Sequence, residues 1–283
     1  MPVATTDGIS TYYEVYGSGA ALLMMGSGSF DSTIERFSTN EWKGIRPFET
    51  FARYYTCIPY DRREAGRSGA RVERITYRSY ADQARGLLDH LGFSEAYVLG
   101  VCIGASVAIA LAVAYPAAVA GMVLHKPVGG PRWRIAGQER FNIHHRFVKD
   151  TGLDAVVTLA REKRTFNAEP KAGPWAACIA NNEAFARSFA AQEAKSYTAL
   201  TGMLGRTLFD RDTVPGAESE ELMRLTIPTL IIPGHDPNHA TSGARYLEEC
   251  LPYAEYWDVM VDKQNPETIK NRILGFLAKI SKQ

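Results

Sequence analysis

Residues 95–116, "EAYVLGVCIGASVAIALAVAYP", constrain this chain more than any other stretch. The apolar "EAYVLG" reads as a strand, and "IGASVAIALAVAYP" as a small-residue helix that stops before Pro116. Almost nothing separates the two, so the chain must turn sharply at Val101 and Cys102. A side chain at the centre of such a turn stands clear of the sheet, provided that small residues on either side let strand and helix come close. Gly100, Gly104 and Ala105 meet that need, and Cys102 holds the centre. The amide of Ile103, at the start of the helix, would point at an oxyanion, and the helix N-terminus would favour a thiolate. Cys102 is therefore a candidate nucleophile and Ile103 a candidate oxyanion donor. The alternative, a small inert core cysteine, stays open from the pentapeptide alone. Ser106 is a rival one turn inside the helix, where its hydroxyl is expected to bond back to a carbonyl.

The surrounding pattern repeats strand and helix. Strands are expected at 11–17, 20–26, 54–61, 95–100, 119–125, 227–234 and 254–261, and helices at 77–92, 103–116, 240–252 and 266–280. Residues from about 129 to 215 break the alternation and read as helical pieces without a confident strand. Alternating strands and helices imply an α/β fold with a mostly parallel, doubly wound sheet. The division that follows is a core of residues 1–128 and 216–283, with a helical lid at 129–215 over the strand C-terminal ends, where such sheets place their sites.

Composition narrows the partners. A net charge of +1 in 283 residues gives no reason to expect a nucleic acid. No apolar run reaches the roughly 18 residues that span a bilayer, so no membrane role is expected. "MPVATTDGIS" lacks the basic start and apolar run of a secretory signal. The four cysteines, Cys57, Cys102, Cys178 and Cys250, are widely spaced, which argues against a disulfide framework or zinc site and makes a reducing cytoplasm the expected setting. No metal motif or dinucleotide fingerprint appears, so no cofactor is expected. The partner is a small-molecule substrate; oligomeric state, a homodimer included, stays open.

The order of strands, "DRREAGRSG", "GVCIGAS", a helical insertion, "LIIPGHD" and a final strand–helix pair resembles the α/β-hydrolase superfamily along essentially the whole chain. "GVCIG" is similar to its G-x-S-x-G nucleophile elbow with cysteine in the serine position. The resemblance implies the fold more firmly than the reaction, since this fold hosts many chemistries. It also implies a second oxyanion donor after the strand "LLMM". Met25-Gly26-Ser27-Gly28 stands where a His-Gly pair is usual, which makes the amide of Ser27 or Gly28 the candidate. In "DRREAGRSG", Glu64 replaces a small residue and is either a group facing the site or the partner of a neighbouring arginine.

One departure is plain. The superfamily's general base follows the last strand, and here "YWDVMVDKQNPETIK" contains no histidine. Of the six histidines, His90 lies at the end of a helix remote from the site, and His144 and His145 fall in the insertion. His125 ends the strand beside the elbow strand, and His235 and His239 flank Asp236 in "PGHDPNHA". That loop follows the strand where the superfamily keeps its acid, so His239 is the expected base and Asp236 the group that orients it. A thiol, with a reference pKa of about 8.5, tolerates an altered base better than a serine alcohol does. At the entrance to the insertion, Arg132 and Trp133 offer a cation and an aromatic face to a substrate, and His125 is a further candidate contact.

The expectation is a hydrolase acting on a small carbonyl compound (an ester, lactone, thioester or activated ketone) through a covalent Cys102. An acyltransferase or lyase on the same site, or a non-catalytic binding protein, remains the alternative.

Overall fold

Short apolar runs form the sheet because each can bury both faces. The computed structural model describes residues 2–162 and 165–282. Its strands are β1 (Val3–Thr6), β2 (Ile9–Tyr12), β3 (Ala21–Met25), β4 (Thr56–Pro59), β5 (Ala96–Val101), β6 (Val119–His125), β7 (Thr229–Ile232) and β8 (Ala254–Tyr256). β1 and β2 form a separate antiparallel pair, and the other six make one sheet in the order β4-β3-β5-β6-β7-β8. Every pairing in that sheet is parallel.

Period-two alternation divides the apolar side chains between two cores. Leu23, Met25, Val98 and Leu124 face one layer, while Leu22, Met24, Leu99 and Val123 face the other. The first layer holds the elbow helix Ile103–Ala114, packed against helix Tyr77–His90. The second is closed by helix Pro266–Ile280, through Ile269, Ile273, Phe276 and Leu277, and by helix Asn40–Ile45, through Trp42 and Ile45. Leu22, Leu23 and Leu99 are fully inaccessible, the setting in which truncation to alanine costs about 2–5 kcal/mol each.

Several expected strands are shorter than their patterns suggested; 54–61 is reduced to Thr56–Pro59 and 227–234 to Thr229–Ile232. The 11–17 stretch pairs regularly only to Tyr12, and Tyr13 and Tyr16 then make isolated bridges to Tyr60 and Cys57. The 254–261 stretch ends at Tyr256, after which the chain leaves the sheet edge and enters the short turn Val261–Lys263. Helices Asn40–Ile45 and Pro47–Thr50, in a segment that carried no expectation, bridge β3 to β4.

Between β6 and β7 the described residues form the helices Pro131–Thr151, Leu153–Arg161, Ala176–Asn181, Glu183–Ala190, Ala194–Leu208 and Ser219–Leu222, and no strand. Aromatic edges stitch this insertion to the core: Phe30, in the loop after β3, meets Phe141 at 5.8 Å and Phe166 at 5.3 Å between ring centres. Among the described residues no helix is long and apolar enough to cross a membrane.

Parallel register brings four strand ends to one edge. Met25 pairs with Gly100, Val101 with His125, and His125 with Ile232. The loops leaving β3, β5, β6 and β7 therefore start side by side. Two of these segments come close at Gly104, where a Cβ would run into the carbonyl of Met25. Gly104→Ala is expected to cost about 1–3 kcal/mol. Gly275→Ala, at an exposed helical position where a Cβ meets nothing within 4 Å, is expected to gain about 0.5–1 kcal/mol. Denaturant unfolding of both variants checks the contrast.

Candidate active site

Cys102 occupies the turn between β5 and its helix with φ 59° and ψ −120°. For a residue with a Cβ this backbone costs about 1–3 kcal/mol, so its surroundings must hold it. They do so from both sides. The Cys102 N–H donates to the His125 carbonyl at 2.9 Å, and the Cys102 carbonyl accepts from the Ala105 N–H at 3.1 Å. A Cβ at Gly100 would strike the Gly104 carbonyl, so strand and helix can meet this closely only with glycine there.

The four cysteines divide sharply. Cys57, Cys178 and Cys250 are buried, and burial pushes the thiols of Cys57 and Cys178 up to about 12. Cys102 is partly exposed. Burial opposes its ionisation too, but the His239 imidazole and the backbone amides of Ile103 and Gly28 outweigh it and hold the thiol below its ordinary range. Two amides from different loops thus converge on one sulfur. Of the two donors expected after β3, Gly28 is the one that reaches it; no hydrogen bond from Ser27 to the sulfur occurs among the described residues.

Gly28 is held in place. Its φ is +93°, and a Cβ would strike the Asp31 carbonyl. The Arg62 Nη2 donates to the Gly28 carbonyl at 2.9 Å, and the Arg62 guanidinium lies 4.5 Å over the Tyr80 ring. Arg62 braces the loop from beneath, a role that no sequence motif marked.

His239 comes from the loop after β7. Asp236-Pro237-Asn238-His239 is a tight turn closed by the His239 N–H on the Asp236 carbonyl at 3.1 Å. The Asp236 carboxylate caps the turn through the Asn238 N–H at 2.9 Å and meets His239 Nδ1 at 2.7 Å. This fixes the ring with Nε2 turned to the sulfur. Nε2 is buried and makes no hydrogen bond of ordinary geometry, so the Cys102 thiol is the neighbour it addresses. Burial disfavours charge on the imidazole, but Cys102 and Asp236 together overcome this and raise it to about 9. Sulfur, imidazole and carboxylate thus stand in line, and the imidazole keeps its proton through neutral pH.

Two of the expected contacts, His125 and Trp133, need correction, and for Glu64 the arginine partnership holds, 3.8 Å from Arg62. His125 is fully buried and does not face a substrate: its ring lies edge-on to Trp42 at 5.2 Å, and its Nε2 is 3.6 Å from Glu41 Oε1. Burial, partly offset by Glu41, lowers it to about 3, so it is neutral. Trp133 turns inward against Phe209, with ring centres 4.6 Å apart, and presents no face to a ligand. Arg132 is exposed and lines a surface hollow of about 430 Å³ with His235 and Asp236. Glu64 is fully buried, accepts from the Tyr80 hydroxyl at 2.8 Å and is pushed up to about 7 by that burial. Glu64 backs the Arg62 brace and does not touch the thiol.

The remaining histidines have other partners. His144 meets the Tyr197 hydroxyl, His145 that of Thr201, His235 that of Thr241 and His90 that of Tyr13. Ser106 is sealed in the helix, and its hydroxyl has no partner, contrary to the expected bond to a carbonyl.

Cys102, the amides of Ile103 and Gly28 and the Asp236–His239 turn thus meet at one edge of a parallel sheet. Residues 37–194 match the alpha/beta hydrolase fold family, and the chain belongs to it. Over its full length the chain is 26% identical to RutD of Azorhizobium caulinodans, whose name proposes a carbamate hydrolase; the match covers 99% of each chain. It is 29% identical over 123 residues to the hydrolase YraK of Bacillus subtilis, uncharacterized by its own name, and spans 42% of that protein. Among solved structures it is similar to a thermophilic esterase from Thermogutta terrifontis, with a TM-score of 0.63 at 20% identity over 99% of this chain and 98% of that one. An enol-lactonase from Burkholderia xenovorans superposes with a TM-score of 0.63 at 17% identity, covering 98% of this chain and 100% of that one.

The shifted ionisation has a direct readout. His239 loses its proton only above about 9, and the Cys102 thiol lies below its ordinary range, so through neutral pH a protonated imidazole stands beside the sulfur and favours its ionised form. Iodoacetamide should therefore alkylate Cys102 rapidly at pH 6.5. His239→Ala should slow that reaction by about tenfold or more and restore a dependence on higher pH. Mass spectrometry of the alkylated peptide over pH 5–10 checks both.

Proposed function

We propose that this protein is a hydrolase in which Cys102 forms a covalent acyl intermediate with a small ester or lactone. The observation that carries this reading is the convergence on one sulfur of His239 and the amides of Ile103 and Gly28. In the first half-reaction the thiolate attacks the substrate carbonyl carbon and forms the S–C bond. In this reading the oxyanion takes the place between the Ile103 and Gly28 amides, both of which act on the sulfur beside it. The C–O bond to the leaving group then breaks, and the His239 imidazolium gives its proton to the departing alkoxide. In the second half-reaction, neutral His239 takes a proton from water as the water attacks the acyl carbon. The S–C bond breaks, the carboxylic acid leaves, and the thiolate–imidazolium pair returns.

Asp236 keeps Nδ1–H in place, so that Nε2 is the nitrogen that exchanges protons. The likeness to an esterase and an enol-lactonase supports carbonyl–oxygen bond cleavage as the reaction class. Residues 129–215 act as the lid in this reading: Phe141 and Phe166 seat the insertion on Phe30, two residues beyond Gly28. No cofactor takes part in the steps, and the setting is the cytoplasm.

Incubation with an activated ester such as p-nitrophenyl acetate, followed by acid quench and intact-mass measurement, tests the reading. The expected result is an acetyl adduct on Cys102, absent from Cys102→Ala, and turnover reduced to background in that variant. Turnover that persists in Cys102→Ala overturns it. Asp236→Asn should lower kcat by about 10²-fold or more, because the imidazole loses the partner that fixes its tautomer and orientation.

A further inference from the structure

The insertion helix Pro131–Thr151 buries Trp133, Gly137, Phe141, His144 and Val148 on one face. Arg140 lies three residues after Gly137 and four before His144, within that inward sector at 3.6 residues per turn. It is half-buried, yet it makes no hydrogen bond or ion pair among the described residues, while Arg134 on the same helix is paired with Asp212. None of its nitrogens is sealed away without a partner. The guanidinium therefore opens onto accessible space. Its neighbour Phe141 packs against Phe30, two residues beyond Gly28, which sets this turn of the helix beside the loop whose amide reaches the sulfur, and the charge on Cys102 acts on the guanidinium against the effect of its burial.

An unpaired guanidinium costs desolvation, which an anion restores on binding. From these observations we infer that Arg140 is the anion-binding residue of the site, and that the substrate carries a carboxylate a few bonds from the carbonyl that Cys102 attacks. This rests on the reading of Cys102 as nucleophile. A planar carboxylate matches the guanidinium fork with two parallel N–H donors, and its single charge is balanced by one arginine; a phosphate dianion would need a second cation. Bound this way, the anion holds the carbonyl at the sulfur.

The test compares alkylation of Cys102 by iodoacetate, an anion, with alkylation by neutral iodoacetamide, as a ratio of rates in the full-length protein. Arg140→Gln is expected to lower the iodoacetate-to-iodoacetamide ratio by about tenfold, and Arg140→Lys to retain part of it. Arg146→Gln removes the same charge from the exposed face of the same helix and should leave the ratio where it was. A ratio unchanged in Arg140→Gln overturns the inference. Should Arg140→Gln fail to fold, the Arg140→Lys ratio decides: a fall supports the forked contact, and identity with the wild type overturns it. Ester turnover is measured separately with p-nitrophenyl butyrate and with the mono-p-nitrophenyl ester of glutaric acid. Absence of an acyl-cysteine with either ester removes the hydrolase reading and leaves the alkylation ratio standing. Equal kcat/KM for both esters overturns the carboxylate preference and leaves the hydrolase reading intact.

Discussion

A single left-handed residue with a side chain underlies the geometry at the carboxyl edge of the sheet. Cys102 can hold φ 59° because Gly100 and Gly104 let the elbow helix collapse onto β5 and β3. The same collapse has a second effect. Gly104 abuts the carbonyls of Met25 and Gly26, where the loop carrying Gly28 begins. One steric fit both raises the sulfur and brings the second amide to it. The strain at Cys102 is small beside the packing of the helix, whose residues Ile103 to Ala112 are almost wholly buried.

In the proposed reaction, charge around that point replaces what a serine elbow draws from a base after the last strand. Two opposite charges in a partly dry cleft repay their desolvation only if each has further partners. Here the sulfur has two amides and the imidazole has a carboxylate, so neither ion stands alone. Cysteine and the relocated histidine make one physical system. An alcohol in the same place would remain protonated, and its proton would have to be removed in each cycle.

Much of the fold was legible because continuous apolar runs of four to seven residues, bounded by Gly or Pro, suit only buried parallel strands. The ends of β2 and β8 were not: "TYYEVYG" and "AEYWDVMV" keep a strand-like composition after their neighbours in the sheet have run out. Cys102 was legible from glycine spacing, since close approach leaves its mark in residue type. That His239 would stand beside the Cys102 turn was expected once the segment after the last strand proved empty of histidine, and the ring is found against the sulfur. Trp133 and His125 were misjudged for a common reason. Their residue types suit a binding site, but which way each points depends on the phase of a helix or on what closes over a strand end, and neither is written locally. Arg140 escaped notice for the converse reason: in "QERFNIHHRF" charged and apolar residues mix, and the buried face emerges only when Phe141 and His144 find partners.

The bridge between Gly129 and His239 carries a consequence for how this architecture can be rebuilt. The Gly129 N–H donates to the Asn238 carbonyl at 3.1 Å, and the next amide, Gly130, donates to Asp212 at 2.7 Å. The root of the helical insertion is thereby sewn to the turn that presents the imidazole. A chimaera joined at residue 128 would discard one half of that seam and set the ring adrift, whereas junctions placed after Pro131 and before Asp212 would exchange the roof while leaving the stitching whole.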